Sequence, residues 1–438
     1  MKPRESQKIG LLHHIGGGNL GDDATQDAVL HNIKRRWPRA VLIGLSVNPD
    51  DTRKRHGIPS YAIRRKTWTL GYTVGRAEAT VKEKMKRVAR RYRFLFTLLR
   101  AIHTVVIRMP REFSHEVLFL GVAFRILRSF DLLIINGGGQ LTEWGGPWDF
   151  PYTIFKWTFL ARSANVRCVF LNVGAGPLTH RVSKFFVRRA LSFADYASFR
   201  DEESRTLVHQ IGFRGRSRVF PDSAYSLELP APNRSSRTRR RGRPIVGIAP
   251  MPYCDPRVFH EKDQLVYDRL IRKLGLFASW LVRNDYSVAL FGSDIGIDPL
   301  AIADLQSALK SDHGIAGDGD SHCIIKEAVS SLEELLAQMS SMDYVVTCRF
   351  HGVIFAHLLN KPVIAISHHP KVATLMSDIG LDKYCVDIRT FDLNLLTATF
   401  TAAVRNSKEI KDRMAERLGC YRRELTSQFD DLFPQTAR

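Results

Sequence analysis

One local pattern recurs along most of this chain: a short apolar run of strand-forming residues, a turn, then a helical stretch. In the first half such runs read at Ile9 to Ile15, Val41 to Val47, Leu132 to Ile135, Cys168 to Val173 and Tyr196 to Phe199, with a short one near Arg218 to Phe220. Helical patterns at Asp22 to Arg36 and Val182 to Phe193 lie between them. A crossover helix returns the chain to the same end of a sheet, so this alternation demands parallel strands in a doubly wound α/β layer. The pattern resumes later, with strands expected at Ile245 to Ala249, Ser287 to Phe291, Tyr344 to Thr347 and Val363 to Ile366. Helices there fit Gln264 to Val282, Pro299 to Leu309, Leu332 to Met339 and Phe350 to Leu359.

A length of 438 residues is too great for one ordinary core. The stretch PAPNRSSRTRRRGRP, Pro230 to Pro244, has no apolar periodicity and reads as an exposed linker. The expected layout is a Rossmann-like domain over 1–230, an Arg-rich linker at 231–244, and a second Rossmann-like domain over 245–395. A helix-rich segment at 396–438 is expected to pack back across both. Between Pro49 and Phe130 the alternation lapses, and a basic helical insertion at about 53–130 fills the gap.

The net charge of +21 is concentrated. Residues 53–111 hold 17 Lys and Arg against 2 Asp and Glu, and 234–243 hold 6 Arg and no acid. Everything else sums to neutrality. No helix-turn-helix, RNP-like or zinc-finger pattern accompanies these patches, so nucleic acid is not the expected partner. Within the first patch, Met85, Val88, Tyr92, Leu95, Leu99, Ile102 and Val106 share one helical face. A basic amphipathic helix over 81–107 suits an anionic membrane surface, while packing on the core or on a second subunit fits the same stripe. The longest apolar run nearby, Val117 to Phe124, is too short to span a bilayer. Six scattered cysteines without a CxxC pair, and no signal-like N-terminus, fit a reducing cytoplasm, with the inner membrane face open.

Three strand-like runs end on a cationic residue just before a helix. Arg349 and His351 follow DYVVTC, Arg200 follows ADYASF, and His368, His369 and Lys371 follow VIAIS. Ligands of open α/β sheets bind at the carboxyl ends of strands, where helix N-termini add positive charge. An anion beside a titratable imidazole is the expected tenant; salt bridging of Arg200 to Asp201 and its acidic neighbours is the plainer alternative. Gly16, Gly18 and Gly21 match G-x-G-x-x-G, a weak signal alone, and a tight turn with Asp22 or Asp23 as helix cap accounts for it equally. Gly137 to Gly139 after another strand would let a ligand approach the backbone closely. The two adjacent histidines have no third ligand at zinc spacing, so no metal is expected.

Four of these segments occur in a telling order: N-x-G-D at Asn19 to Asp22, the turn Gly137 to Gly139, R-D-x-x-S at Arg200 to Ser204, and R-F-H-G at Arg349 to Gly352. In this the chain resembles the polysaccharide pyruvyltransferase family. The resemblance implies two Rossmann-like domains facing a cleft, as in glycosyltransferase-B enzymes. It implies transfer of pyruvate from phosphoenolpyruvate, as co-substrate and without a further cofactor, to a sugar of an exopolysaccharide or cell-surface glycan. His351 is then the expected acid or phosphate-facing catalyst, and Asp22 the base. Arg200, Arg349, Lys371 and His368 would bind the donor, while Asn19, Gly21, Gly138 and Gly139 would bind the acceptor. A lipid-linked acceptor would account for the basic insertion. A nucleotide-sugar-dependent glycosyltransferase and a non-catalytic membrane-associated assembly protein are the competing readings; the first would release a nucleotide, the second would bind no donor.

Overall fold

The computed structural model describes residues 7–13, 16–65, 109–143, 145–229, 242–259, 261–312, 324–326 and 328–434, without side chains at 109–112, 311–312 and 324–326. The linker residues 230–241 and the amphipathic stretch 81–107 lie outside the described residues.

The first sheet has seven parallel strands in the order β3-β2-β1-β4-β5-β6-β7. In chain order the elements are β1 (Lys8–Leu12), α1 (Leu20–Arg36), β2 (Val41–Ser46), α2 (Pro49–His56), β3 (Ser60–Ala62) and α3 (Met109–Leu127). Next come β4 (Leu132–Asn136), α4 (Phe150–Ser163), β5 (Arg167–Val173), α5 (Arg181–Ser192), β6 (Tyr196–Phe199), α6 (Glu202–Gln210), β7 (Arg218–Val219) and a 3-10 turn at Ser223–Ser226.

The second sheet has six parallel strands in the order β10-β9-β8-β11-β12-β13. It is built from β8 (Ile245–Ala249), α7 (Gln264–Arg283), β9 (Ser287–Leu290), α8 (Asp298–Asp312), β10 (Ile324–Lys326), α9 (Leu332–Ser340) and β11 (Tyr344–Thr347). Then follow α10 (Phe350–Leu358), β12 (Val363–Ser367), α11 (Pro370–Ile379) and β13 (Cys385–Asp387). Two helices end the chain, α12 (Leu393–Arg405) and α13 (Ser407–Leu432).

Both sheets are covered on both faces, which is why their central strands read as unbroken apolar runs. In β4, Leu132 and Ile134 face α1 and the 3-10 turn, while Leu133 and Ile135 face α3 and α4. The first of these cores runs on without a break into the second domain, through Tyr225, α10 and α13. The second core is closed off by α3 to α6 and faces away from the second domain.

The alternation expected to lapse after Pro49 in fact continues. β2, α2 and β3 form an ordinary strand-helix-strand unit, and α3 is the crossover helix into β4. β3 escaped the sequence reading because it has three residues, Ser-Tyr-Ala, right after Pro59. β10 and β13 are equally short edge strands.

The C-terminal helix α13 crosses back onto the first domain through a buried polar network. Gln428 accepts from the Asn172 side chain at 2.9 Å. Its amide lies 2.8 Å from Asn172 Oδ1 and 2.9 Å from Ser198 Oγ, both buried. Arg36 on α1 donates to Asp430 at 2.8 Å. His357 on α10 bridges Tyr225 and the Met414 carbonyl, at 3.1 and 2.7 Å. Replacing Gln428 by Leu removes these bonds, at about 1 kcal/mol each, while Asn172 and Ser198 keep their bond to each other and Asn172 its bond to Ser223. We expect Gln428→Leu to lower the unfolding free energy by about 2 kcal/mol or more in urea titration. No change would show the network to be dispensable.

Candidate functional site

Strand order reverses in each sheet, between β1 and β4 in the first and between β8 and β11 in the second. Crevices at such points are where doubly wound sheets bind ligands. The segments joined to these four strands hold most of the site.

The turn after β1 is tied to the second domain by its backbone. Leu20 N–H donates to the Ser293 carbonyl at 2.8 Å, and Ile295 N–H to the Gly18 carbonyl at 2.9 Å, closing an antiparallel bridge between Asn19 and Asp294. Asn19, rather than Asp22 or Asp23, caps α1: its Oδ1 accepts from Gly21 N–H at 3.0 Å. Gly21 is not open to an acceptor sugar. A Cβ there would lie 2.1 Å from His351 Nδ1, so the glycine serves to let α1 and α10 meet across the domain boundary.

His351 is buried at the start of α10, and its Nε2 has no hydrogen-bond partner. It lies 3.9 Å from Asp222 Oδ2. Asp222, at the end of the first domain, also accepts from Thr25 of α1 at 3.3 Å, from Ala224 N–H at 3.0 Å and from Arg200 Nη1 at 3.3 Å. Arg200 touches its neighbour Asp201 at 3.4 Å as well, so the plainer sequence alternative is present, though incomplete. Its buried Nε has no hydrogen-bond partner. The guanidinium lies 4.5 Å from the Phe350 ring centre, and Lys371 Nζ lies 5.9 Å from the same ring. Lys371 has no ion-pair partner among the described residues.

Arg349 is differently placed from the free anion binder the sequence suggested. Its Nε donates to Asp298 Oδ1 at 3.0 Å and its Nη2 meets the same oxygen. Asp298 is fully buried and also takes the N–H groups of Ser293 and Asp294 on Oδ2, each at 3.0 Å. The pair fixes the very loop that bridges to Asn19. His368 is also spoken for: its Nδ1 donates to the Cys348 carbonyl at 3.0 Å. A neutral imidazole held so presents a bare lone pair on Nε2, which repels an anion. Its neighbour His369 caps α11, accepting from Lys371 N–H at 3.3 Å.

On the acceptor side, Gly138 sits against Asp22. A Cβ on Gly138 would come 2.9 Å from Asp22 Oδ1 and 3.4 Å from both Gln140 Nε2 and His13 Nε2. Gly139 is exposed, with nothing near its Cα, so the backbone stays open at that point. His13, at the end of β1, is fully buried with neither ring nitrogen partnered. Neither His13 nor Asp222 was singled out from sequence. The rule that found Arg200 and Arg349, a polar residue at a strand's carboxyl end, applies to His13 as well.

Burial and proximity set the protons. Burial raises Asp22 to about 7, with help from Asp23. Burial, then Arg200, Lys371 and Arg349, hold His351 down at about 4 against the pull of Asp222. His13 falls to about 3, first through burial. Lys371 drops to about 8, by burial and then by Arg200. At neutral pH the imidazoles of this ligand-free site are therefore neutral, and Asp22 is poised to hold or give up its proton.

These placements separate two cations that look alike in sequence. Arg349→Ala leaves Asp298 buried without its counterion and should cost about 3–5 kcal/mol of stability. Lys371→Ala removes an unpaired charge and should change stability by less than about 1 kcal/mol. Chemical denaturation of both variants checks this, and the reverse ranking would refute the pairing.

The fold is shared with solved structures at very low identity. A putative UDP-N-acetylglucosamine 2-epimerase from Listeria monocytogenes superposes with a TM-score of 0.56 at 12% identity, over 98% of each chain. UDP-GlcNAc 2-epimerase from Neisseria meningitidis gives 0.55 at 11%, over 98% of this chain and 99% of that one. Spinosyn rhamnosyltransferase gives 0.50 at 10%, over 97% and 99%. The architecture is thus that of glycosyltransferase-B enzymes, two Rossmann-like α/β domains facing one another. No curated protein sequence matches the chain. The family model for polysaccharide pyruvyl transferase matches residues 19–370, from the Asn19 cap to the start of α11 and through Arg200, Asp222 and His351. Fold, site and sequence match agree, and this chain belongs to the polysaccharide pyruvyl transferase family and is a transferase.

Proposed function

We propose that the protein takes pyruvate from phosphoenolpyruvate and places it, as a cyclic ketal, on two hydroxyls of a sugar in an exopolysaccharide or other cell-surface glycan. The observation that carries this reading is the pair Arg200 and Lys371, gathered around Phe350 beside His351. A small donor with a carboxylate and a phosphate supplies the negative charge they lack.

The reaction adds a proton to the methylene carbon of the enol. One sugar hydroxyl attacks the central carbon, the carbon–oxygen bond to phosphate breaks, and the second hydroxyl closes the ring. Of the two hydroxyl protons released, one balances the proton added to carbon and the other leaves with phosphate. His351, held down by burial and then by the neighbouring cations, gains proton affinity once the donor offsets those cations, and so becomes the acid as the donor binds. Asp22, beside the Gly138 turn, takes a hydroxyl proton. His13 offers its free imidazole to the acceptor in the same crevice. Asn19 and the open backbone at Gly139 complete the acceptor side. The acceptor is lipid-linked, and the basic stretch 81–107 rests on an anionic membrane; among the described residues no helix is long and apolar enough to cross one.

Calorimetry with phosphoenolpyruvate, in buffers of differing ionisation enthalpy, tests the donor and the proton together. We expect saturable binding with net proton uptake near pH 6.5, and loss of that uptake in His351→Gln. Affinity should fall as pH rises past about 8, where Lys371 loses its charge in the free protein, and this fall should vanish in Lys371→Met. Binding of a nucleotide sugar in place of phosphoenolpyruvate, with nucleotide rather than phosphate released on turnover, would replace this reading with glycosyl transfer.

A further inference from the structure

The helices that cover the outer core of the first domain do not end in a polar surface. α3 turns Phe119, Ala123 and Leu127 inward, at spacings of four, onto that core. Its outward side carries Phe113 at 73% exposure, Leu118 at 68%, and Val117, Gly121 and Val122. An ordinary surface helix shows charged and polar groups there. The neighbouring helices continue the feature, with Phe159 of α4 and Phe185 of α5 each nearly half exposed. Both rings pack on Phe155, at 6.1 and 6.4 Å. Trp148 is 71% exposed and stacks edge-on against Phe186 at 5.4 Å. It sits in the loop that joins the Gly137 to Gly139 turn to α4.

On α4 and α5 the charge has one sign. α4 and α5 contain six Lys and Arg residues and no Asp or Glu. Lys156 is buried and pairs with Glu116 of α3, whereas Arg162, Arg181, Arg188 and Arg189 are exposed. Arg189 lies over the exposed Phe185 ring, at 5.8 Å. Arg125 and Arg128 stand at the end of α3, both exposed.

We infer that this face of α3, α4 and α5 docks on an anionic phospholipid surface, with aromatic side chains entering the headgroup layer and arginines pairing with lipid phosphates. Charge decides among the candidate occupants. The chain's own segment from 66 to 108 is strongly basic and would meet like charge here. A second copy docking through the same patch would set arginine against arginine. An anionic bilayer satisfies both the aromatic and the cationic components, and the basic segment would favour the same surface. The inference rests on and deepens the reading of a lipid-linked acceptor: a chain held on the bilayer by this face meets such an acceptor at the membrane surface.

The test is co-sedimentation of the full chain with vesicles of phosphatidylcholine alone, or mixed three to one with phosphatidylglycerol, at low and high salt. Strong partition onto the anionic vesicles, lost at high salt, is expected. The double variant Arg188→Glu, Arg189→Glu should lose at least tenfold in partition, and Leu118→Ser with Phe185→Ser several-fold. Binding of phosphoenolpyruvate should be unchanged in both, because none of these residues lies in the cleft. That readout separates failure of the docking face from failure of the donor assignment. Equal partition onto neutral and anionic vesicles, or full retention by both variants, would overturn the proposal, the latter by assigning lipid contact to residues 66–108. A dimer disrupted by the same variants would also overturn it, in favour of a second copy.

Discussion

Asp222 is the group on which this site most depends. A buried carboxylate is tolerated only where donors and cations surround it, and each partner of Asp222 comes from a different element. Thr25 reaches it from α1, Arg200 from the end of β6, Ala224 from the turn that follows, and His351 faces it from the second domain. Remove the carboxylate and Arg200 loses its contact to the domain end, Thr25 loses a long-range partner, and His351 loses the neighbouring charge that raises its proton affinity. One side chain thereby orients Arg200 and opposes, without overcoming, the burial that keeps His351 neutral.

Close approach is the second constraint, and it belongs to glycine. His351 stands where it does because Gly21 leaves room for its ring, and Arg200 lies over Gly174, where a Cβ would sit 2.7 Å from its Nε. Gly137 gives way in the same manner to Thr25. A conformational demand exists at Gly137 and Gly138, which take positive φ values of 46° and 60°. At Gly21 and Gly174 the demand is space. Gly21 thus lets the two domains meet, Gly137 and Gly174 seat Thr25 and Arg200 within the first, and the backbone at Gly139 stays open.

Much of the fold is legible in the sequence because parallel strands buried on both faces are apolar throughout and bounded by turns. β4, β5, β8, β11 and β12 stand out for that reason, within a residue or so at each end. β3, β10 and β13 do not, since an edge strand of three residues has neither the length nor the composition to show itself. The site was legible only as a set of strand ends. Arg200, Lys371 and His351 do converge around Phe350 and Asp222, but sequence carries no record of which cation meets a counterion. Arg349 and Arg200 look alike as strand-terminal arginines; one is consumed by Asp298, more than 50 residues away, and the other keeps part of its charge for the cleft. The same blindness hid Asp222, whose importance comes from partners distant in the chain.

Proton assignment was beyond reach of the sequence for a related reason. A histidine beside arginine and lysine reads as a general acid, yet burial, with those same cations behind it, holds His351 at about 4. His351 is therefore neutral near pH 7, and Lys371 has no counterion among the described residues. Both features favour a dianionic donor over a neutral one, because only the former compensates the cations and recharges the imidazole in one event. An enol that met a charged imidazole before its phosphate and carboxylate were held would risk protonation and hydrolysis by water. On the proposed reading, proton affinity at His351 follows occupancy by the donor through the cluster of Arg200, Lys371 and Asp222, so the chemical step waits for a filled site.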